Sequence, residues 1–463
     1  MSRSRSTTSG PLAWGVTVLA LAQLAACGRA TPEAPPARPP NLLVVLVDTL
    51  RADRLSLYGY GRETSPSLDR FARERGVVFE NAWANAGCTF PSVNSILTGR
   101  WPQLFLDRFD ELGMVIPADV TTLGERLGEL GYATAAVSAS QIVRATPSVI
   151  NERGGFDRGF ERFDESCEIE PARCVTRRAV DELERLREPF FLYLHYLDPH
   201  APYKLPGTGP RPWADASAEG VRDWALEGDI QPVVRRLYDG DQEVEFGPPE
   251  IRHLNDLYDE EVRYFDRHFG RLLAALEQRG LLDSTVIAFV ADHGEELGDH
   301  GHWAHCRSHA WETVLATPFV LAVPGTGPGV RRTMVSNIDL MPTLLELAGV
   351  ADPELGLDGS SLVPLLEGAE RESAARRAFA VQGVRRAARD ATRKVQVNLA
   401  DGVPDFGEPL RGGAEPVPST ERDRAELLAE LTAWMRRVET SDAAESVRDA
   451  ERLEAELRAL GYL

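Results

Sequence analysis

Short, continuously apolar segments recur along this chain and predict buried strands. Asn41–Val47 ends at Asp48, and far downstream Thr285–Ala291 ends at Asp292. A strand that is apolar at every position is typical of a parallel sheet covered on both faces. The further segments of this kind are Val77–Trp83, Tyr132–Ser138, Pro189–Leu197 and Pro318–Val323.

Helical periodicity fills the stretches between these strands. The longest example is Glu250–Gln278, whose apolar residues recur at near-helical spacing and predict a long amphipathic helix. Shorter helices are predicted at Pro66–Arg75, from Pro91 to about Leu97, at Thr122–Leu130 and at Asp339–Ala348. Strands that alternate with helices predict an α/β fold with a mostly parallel sheet flanked by helices. Residues 41–372 are assigned to this domain.

The pattern changes after about residue 373, which predicts a small C-terminal α+β subdomain at 373–463. Its predicted strands are Ala378–Gln382 and Lys394–Asn398. Its predicted helices, which are rich in charged residues, are Arg422–Val438 and Ala443–Leu460. Residues 401–420 are rich in Gly, Pro and Glu and are predicted to form a surface loop.

The first 40 residues are excluded from the fold. Arg3 and Arg5 precede an apolar stretch that ends in Leu24-Ala25-Ala26-Cys27, which resembles the lipobox of bacterial lipoproteins and makes Cys27 the predicted lipidation site. Residues 1–27 are therefore assigned as a lipoprotein-type signal peptide with its lipobox, and residues 28–40 as a Pro-rich tether. An uncleaved membrane anchor is the alternative, but both interpretations predict an extracytoplasmic protein, periplasmic or at the cell surface.

The net charge limits the classes of partner that the protein can bind, and the cysteine content indicates its cellular compartment. The net charge of −20 argues against a nucleic acid or an anionic membrane surface as the main partner, so the lipid anchor is the one membrane contact expected. Beyond Cys27 four cysteines remain, and an even number outside the cytoplasm favours disulfides. Of three possible pairings we favour Cys167–Cys174 with Cys88–Cys306; buried free thiols are the alternative.

The candidate catalytic and metal-binding residues lie at the ends of predicted strands. Asp48 and Asp292-His293 follow apolar strands, and such strands bring their carboxyl ends to the edge where open α/β sheets place their sites. Pro91 suits the first turn of a helix, which puts Thr89 just before a helix N-terminus, a location that favours bound anions. Together these side chains predict a divalent metal and an activated hydroxyl. Five of the nine histidines also cluster within seventeen residues: His293, His300, His302, His305 and His309.

The motifs identify the chain as a member of the sulfatase family of the alkaline phosphatase superfamily, and the resemblance runs through most of residues 41–372. The matching segments, in chain order, are Asn41–Asp53, Tyr58–Tyr60, Thr64–Asp69, Thr89–Arg100, Asp198–His200, Tyr258–Leu273, Asp292–Gly301, Asp339–Thr343, Asp358–Leu362 and Leu460–Leu463. This resemblance implies an alkaline-phosphatase-like fold and metal-dependent ester hydrolysis.

The resemblance also implies a role for each matching residue. The implied metal ligands are Asp48, Asp292, His293 and Thr89, and Thr89 is at the same time the implied nucleophile. Three further residues receive expected roles in the reaction, one of them with two alternates. His200 is expected to contact the anionic group of the substrate, His305 to bind the ester or protonate the leaving group, with His302 and His309 as alternates, and Arg100 to support the nucleophile turn.

Three positions depart from the family pattern. Sulfatases that use formylglycine need Cys or Ser at the nucleophile and Arg four residues later, where this chain has Thr89 and Val93. Oxidation of a threonine would give a ketone rather than the aldehyde, so the resemblance points to a threonine-nucleophile, non-formylglycine subtype. Thr49 replaces the second carboxylate that often follows Asp48, which removes a hard oxygen ligand and makes Zn²⁺ or Mn²⁺ at least as plausible as Ca²⁺.

These observations predict an exported metallohydrolase in which metal-bound Thr89 directly attacks sulfate or phosphate esters, with phosphodiesters favoured. The expected substrate is an anionic ester of a sugar, a lipid or a small molecule. Two alternatives stay open: a phospho-group transferase of the same superfamily, and a binding lipoprotein of this fold that has lost turnover.

Overall fold

The computed structural model describes residues 38–438, except 108, 168–171, 205–210, 227–245 (of which 233 and 236 are described), 307–308, 351–354, 369–375 and 407–419. The predicted signal peptide, its lipidation site Cys27, most of the tether and the predicted helix Ala443–Leu460 lie outside the described residues. Within the described part of the chain, no helix combines the length and the apolar character that crossing a membrane requires.

An eight-stranded sheet forms the centre of the molecule. Its strands are β1 (Asn41–Val47), β2 (Val77–Trp83), β3 (Ala133–Ser138), β4 (Arg162–Asp164), β5 (Phe190–Tyr196), β6 (Thr285–Ala291), β9 (Phe319–Ala322) and β10 (Gly329–Ser336). Between β6 and β9 lies a two-stranded hairpin of β7 (Glu296–Leu297) and β8 (Trp303–Ala304).

The spatial order of the sheet is β10-β2-β9-β6-β1-β5-β3-β4. Every neighbouring pair is parallel except the two that involve β9, which runs antiparallel to both β2 and β6. The sheet is thus mostly parallel, as the alternation of strands and helices predicts. β9 corresponds to the predicted strand Pro318–Val323, and its reversed direction was not predicted because periodicity carries no information about direction.

Helices cover both faces of the sheet. The longer ones are α1 (Pro66–Arg75), α2 (Thr89–Thr98), α3 (Leu123–Glu129), α4 (Ala172–Leu183), α5 (Pro248–Gln278), α6 (Leu340–Leu347) and α7 (Glu421–Val438). Single helical turns occur at Ala52–Arg54, Ser56–Tyr58, Gln103–Leu106, Phe109–Leu112, Ala214–Ser217, Asp223–Leu226, Leu282–Ser284, Glu312–Leu315, Asn337–Asp339 and Val363–Leu366.

The core has two layers because the central strands are buried on both faces. Leu43, Val45 and Val47 of β1 pack in one cluster with α1, α4 and α5. Leu42 and its alternate neighbours on β1 pack in the other cluster with α2, α3 and α6. This two-sided burial is the physical reason that β1 is apolar at every position.

A second, antiparallel sheet follows the main domain in the order β11 (Ala378–Gln382), β12 (Arg385–Arg389), β13 (Lys394–Asn398) and β14 (Pro404–Asp405). α7 packs on it through Leu427, Leu431 and Trp434. The predicted C-terminal strands and the first C-terminal helix are confirmed. β14 lies within residues 401–420, which were predicted to be loop.

Candidate active site

Two carboxylates meet where β1 and β6 end. The strands are in parallel register with Val47 beside Ala291, so the residues that follow them, Asp48 and Asp292, emerge side by side at one edge of the sheet. Both side chains are fully buried. Asp48, Asp292 and His293 each offer one ligand atom, and the three atoms lie within 4.8 Å of one another. The structure therefore brings together three residues that the sequence analysis assigns as metal ligands.

The backbone turns sharply after Asp48. Thr49 has φ +53°, a left-handed conformation that is unfavourable for a β-branched residue. The turn aims the Thr49 N–H at Asp292 Oδ1, 3.2 Å away, while the Thr49 carbonyl accepts a hydrogen bond from the hydroxyl of Tyr258 at 2.8 Å. The strained residue therefore connects the two carboxylate-bearing strand ends.

The hydrogen bonds at the two carboxylates engage one oxygen of each and leave the other oxygen without a hydrogen-bond partner among the described residues. Asp292 Oδ1 also accepts the N–H of His293 at 2.8 Å, and Asp48 Oδ2 lies 3.1 Å from Nε2 of His195. Asp48 Oδ1 and Asp292 Oδ2 are buried and have no hydrogen-bond partner among the described residues. Buried carboxylate oxygens of this kind need a cation or a proton.

The pKa directions agree with a cation site. Burial alone would raise the pKa of Asp48, but the hydrogen bond from His195 and the charge of His200 hold the pKa below its ordinary value. Burial and the adjacent Asp48 raise the pKa of Asp292 to about 6. Two buried carboxyls side by side resist simultaneous ionisation, and a divalent cation between them would remove that resistance. Two carboxylates and an imidazole fit Zn²⁺ or Mn²⁺, and Ca²⁺ is compatible with the carboxylates.

Thr89 is the first residue of α2 and is buried. The prediction placed it one position earlier, just before the helix; either way its hydroxyl lies at a helix N-terminus. Thr89 Oγ1 lies 3.3 Å from Nε2 of His293, and Nδ1 of that histidine donates to the carbonyl of Gly294 at 2.8 Å. The Ser92 hydroxyl donates to the Asp292 carbonyl at 2.7 Å, which fixes the start of α2 against the end of β6.

Two further histidines lie next to His293. The ring centroid of His305 is 4.6 Å from that of His293 and 5.1 Å from that of His200. His305 Nδ1 donates to Glu295 Oε1 at 3.1 Å, and His200 Nδ1 donates to the Ala201 carbonyl at 2.5 Å. Burial and the neighbouring His293 lower the pKa of His305 to about 3, and burial also lowers the pKa of His200.

Both predicted disulfides are present, and one of them joins segments of this site. Cys88 precedes Thr89 and Cys306 follows His305, and the two cysteines are bonded to each other. The Cys306 N–H also donates to the Gly87 carbonyl at 2.8 Å. Cys167–Cys174 is the second disulfide. The Cys88–Cys306 bond therefore ties the nucleophile turn to the segment that carries His305.

The remaining predicted residues lie elsewhere. Arg100 follows the C-terminal end of α2, so at 1.5 Å per residue it is about 15 Å along the helix from Thr89. Its side chain is 38% exposed and its Nε donates to Asp358 at 3.0 Å. The alternates His302 and His309 pack around Trp311, with His309 stacked on the indole at 4.3 Å between centroids. Of the three histidines proposed for the leaving group, His305 is the one in contact with His293.

Comparison with known proteins agrees with this geometry. Residues 40–350 match the family model described as Sulfatase. The chain belongs to the sulfatase family. Iduronate 2-sulfatase of Homo sapiens is 27% identical to it over an alignment of 389 positions, gaps included, that covers 68% of this chain and 70% of that protein. Family membership makes the chain a sulfatase-like ester hydrolase.

Solved structures show the same fold. The sulfatase chain superposes on the phosphonate monoester hydrolase from Silicibacter pomeroyi with a TM-score of 0.62 and 22% identity, over 86% of this chain and 94% of the other. A protein solved in complex with its substrate D-glucosamine-2-N,6-O-disulfate gives a TM-score of 0.63 at 19% identity, over 88% and 99% of the two chains.

Three residues that sequence reasoning missed complete this sulfatase-family site. Tyr203 donates its hydroxyl to Glu295 Oε2 at 2.8 Å, so Glu295 links Tyr203 to His305. Glu295 lies inside the motif that follows Asp292, where its position gave a signal that was not used. His195 contacts Asp48 from β5, and a single histidine in an apolar strand gives no sequence signal for that contact.

Proposed function

We propose that this sulfatase-family protein is an exported hydrolase in which the Thr89 hydroxyl attacks the ester directly, with phosphodiesters and related phosphorus esters preferred over sulfate esters. The observation that carries the proposal is the position of Thr89 Oγ1. It is buried at the N-terminus of α2, 3.3 Å from Nε2 of His293, the residue that clusters with Asp48 and Asp292.

Direct attack follows from the chemistry of threonine. A secondary hydroxyl cannot be converted to the formylglycine aldehyde, so the side chain itself must act. The N-terminus of α2 favours negative charge on Oγ1, which promotes loss of the hydroxyl proton. A divalent cation held by Asp48, Asp292, His293 and Thr89 would neutralise charge on the ester and further lower the pKa of the hydroxyl.

The other residues of the site bind the ester and move a proton. The Thr89 hydroxyl loses its proton to solvent water, and Oγ1 then forms a bond to phosphorus or sulfur while the bond to the leaving oxygen breaks. His200 and His305, whose ring centroids lie 5.1 Å apart, are proposed to take up protons when the anionic ester binds, because its negative charge raises the pKa values that burial lowers in the free site. The protonated rings then hold the ester oxygens and give a proton to the leaving oxygen. Water then releases the group from Thr89.

The preference for phosphorus esters rests on the second step of the reaction, in which water releases the group from Thr89. A phosphothreonine can be hydrolysed by in-line attack of water at phosphorus. A sulfothreonine lacks the easy elimination route that a formylglycine hydrate offers, so a threonine sulfatase would release its product slowly.

Export is the second part of the proposal. Two disulfides are typical of a protein that folds in an oxidising compartment. Together with the lipobox-like segment before Cys27, they support an extracytoplasmic lipoprotein that acts on sulfated or phosphorylated sugars, lipids or small molecules.

The test is turnover of three matched aryl substrates by the purified chain: a phosphodiester, a phosphonate monoester and a sulfate ester, each with Mn²⁺, Zn²⁺ or Ca²⁺. We expect the phosphorus esters to be cleaved faster. Rapid quenching and mass spectrometry should locate an adduct of about 80 Da or more on the peptide that contains Thr89, as covalent catalysis requires.

Each other outcome has a distinct meaning. Faster cleavage of the sulfate ester overturns the preference for phosphorus but keeps the nucleophile. An adduct that is released to an added alcohol and not to water identifies a transferase. Metal binding without turnover of any substrate identifies a binding lipoprotein of this fold.

A further inference from the structure

His195 on β5 lies directly beside the metal-ligand candidate Asp48. β5 is the parallel neighbour of β1, with His195 in register with Leu46, so its ring reaches the carboxylate at the end of the adjacent strand. Its Nε2 lies 3.1 Å from Asp48 Oδ2, and both side chains are fully buried. The contact joins residues 147 positions apart in the chain.

The direction of hydrogen bonding through His195 follows from the chemistry of its partners. An ionised carboxylate only accepts, so His195 Nε2 must carry the proton and donate it to Asp48. Nδ1 of the same ring is then an acceptor, and it lies 2.9 Å from the hydroxyl of Tyr193, which donates to it. Burial raises the pKa of Tyr193 well above its ordinary value, so the phenol keeps its proton. The result is a directed chain from Tyr193 to His195 to Asp48.

This chain determines which oxygen of Asp48 faces a cation. Oδ2 is engaged by His195, whereas Oδ1 is buried without a hydrogen-bond partner among the described residues. Thr49 follows Asp48 in place of a second carboxylate, so the cation would depend on few acidic ligands and on their correct orientation. Groups that orient metal ligands in this way are known to control metal affinity.

We propose that His195, itself oriented by Tyr193, is a positioning residue that fixes the Asp48 carboxylate and thereby sets the affinity of the site for a divalent cation. The inference rests on the proposed metal site, but not on the identity of the ester or on the reaction at Thr89.

The experiment measures cation affinity rather than turnover. The full chain is stripped of metal with a chelator and titrated with Mn²⁺ and Zn²⁺ by calorimetry. His195→Phe removes the donor and keeps a ring, and we expect it to weaken binding by roughly 10- to 100-fold. His195→Gln places an amide N–H near the position of Nε2 and should recover most of the affinity. Tyr193→Phe should weaken binding by about threefold, the effect of one lost neutral hydrogen bond.

A matched control separates orientation of Asp48 from general damage to the core. His268 on α5 is also buried, its ring packs on Tyr264, and the charged groups that act on it are arginines rather than Asp48 or Asp292. His268→Phe should leave cation affinity at the parental value. Unfolding temperatures of the metal-free variants show whether each fold is intact.

If His195→Phe folds, three outcomes overturn the inference. They are parental affinity in a folded His195→Phe variant, equal loss in His195→Phe and His268→Phe, and loss in His195→Gln as large as in His195→Phe. If His195→Phe does not fold, Tyr193→Phe and His195→Gln decide: both must weaken binding slightly, and parental affinity in both overturns it. A parent chain that binds neither cation would instead refute the proposed metal site, which is a different result.

Discussion

The two ends of α2 lie in opposite surroundings although one sequence motif, Thr89 to Arg100, spans both. At the N-terminal end, Thr89 is buried beside His293, and Ser92 bonds to the Asp292 carbonyl. At the C-terminal end, Gly99 adopts a left-handed conformation and Arg100 pairs with Asp358 near the surface. The difference teaches that membership in a motif does not place a residue in the site.

Stability and chemistry are divided between these ends. The N-terminal end adjoins buried carboxyls with shifted pKa values and the left-handed Thr49, features that cost folding free energy. The C-terminal end has a glycine suited to its conformation and an ion pair near the surface, features that stabilise the helix end. Substitutions at the first end should therefore change activity, and substitutions at the second should change only stability.

The largest effect is expected for Thr89→Ala, which removes the proposed nucleophile and should lower kcat by roughly 10³-fold or more. Thr98→Ala is the matched control, because it removes a buried hydroxyl from the last turn of the same helix, where it donates to the Asn94 carbonyl. Steady-state kinetics should show parental kcat for Thr98→Ala. Equal activity in Thr89→Ala and the parent would contradict the assignment of the nucleophile.

The second effect concerns the folding free energy that is lost when a carboxyl group is buried next to the site. Burial raises the pKa of Asp198, two residues before His200, from 3.8 to about 7. The folded state therefore binds more protons than the unfolded state between these values, so the carboxyl lowers stability as the pH rises through that window. Asp198→Asn should match the parent near pH 4 and exceed its unfolding free energy at pH 8 by on the order of 4 kcal/mol. Urea unfolding at several pH values measures this, and a constant difference between the two proteins would refute it.

The third effect tests the far end of α2. Gly99 has φ +63°, and an added Cβ would lie 3.2 Å from Leu357 Cδ2, so Gly99→Ala should destabilise the protein by about 1–2 kcal/mol. Gly128→Ala should change the unfolding free energy in the opposite direction. Gly128 lies inside α3 with open space around it, so alanine there should stabilise the protein by about 0.5–1 kcal/mol. Thermal unfolding gives both values. A loss of kcat in folded Gly99→Ala would show that the two ends are coupled.

The sequence predicts the residues that meet at the N-terminal end of α2 better than it predicts their contacts with distant segments. The apolar strands before Asp48 and Asp292 are strong signals because burial on both faces leaves no polar position. The register of Thr89 within its motif separated it from Cys88. These local patterns, with the rule that sites lie at strand ends, were sufficient to bring the cluster together.

Contacts between distant segments were not predictable in the same way. His195 and Asp48 are joined by strand order, which a single sequence does not specify. β10 was missed because its first half alternates between exposed and half-buried positions and its second half is buried, so neither strand pattern extends along its length. β4 has only three residues, none of them fully buried, and carries too little pattern to be recognised.

The smallest effect is expected for Arg100→Ala, and it tests the comparison most directly. The side chain is 38% exposed and its partner Asp358 is 28% exposed, so the ion pair should contribute less than about 1 kcal/mol. Because Arg100 lies at the end of α2 away from Thr89, kcat and KM should stay close to the parental values. A large loss of kcat in a folded Arg100→Ala variant with parental cation affinity would mean that the C-terminal end of α2 positions Thr89 through the helix, and the division between the two ends would have to be abandoned.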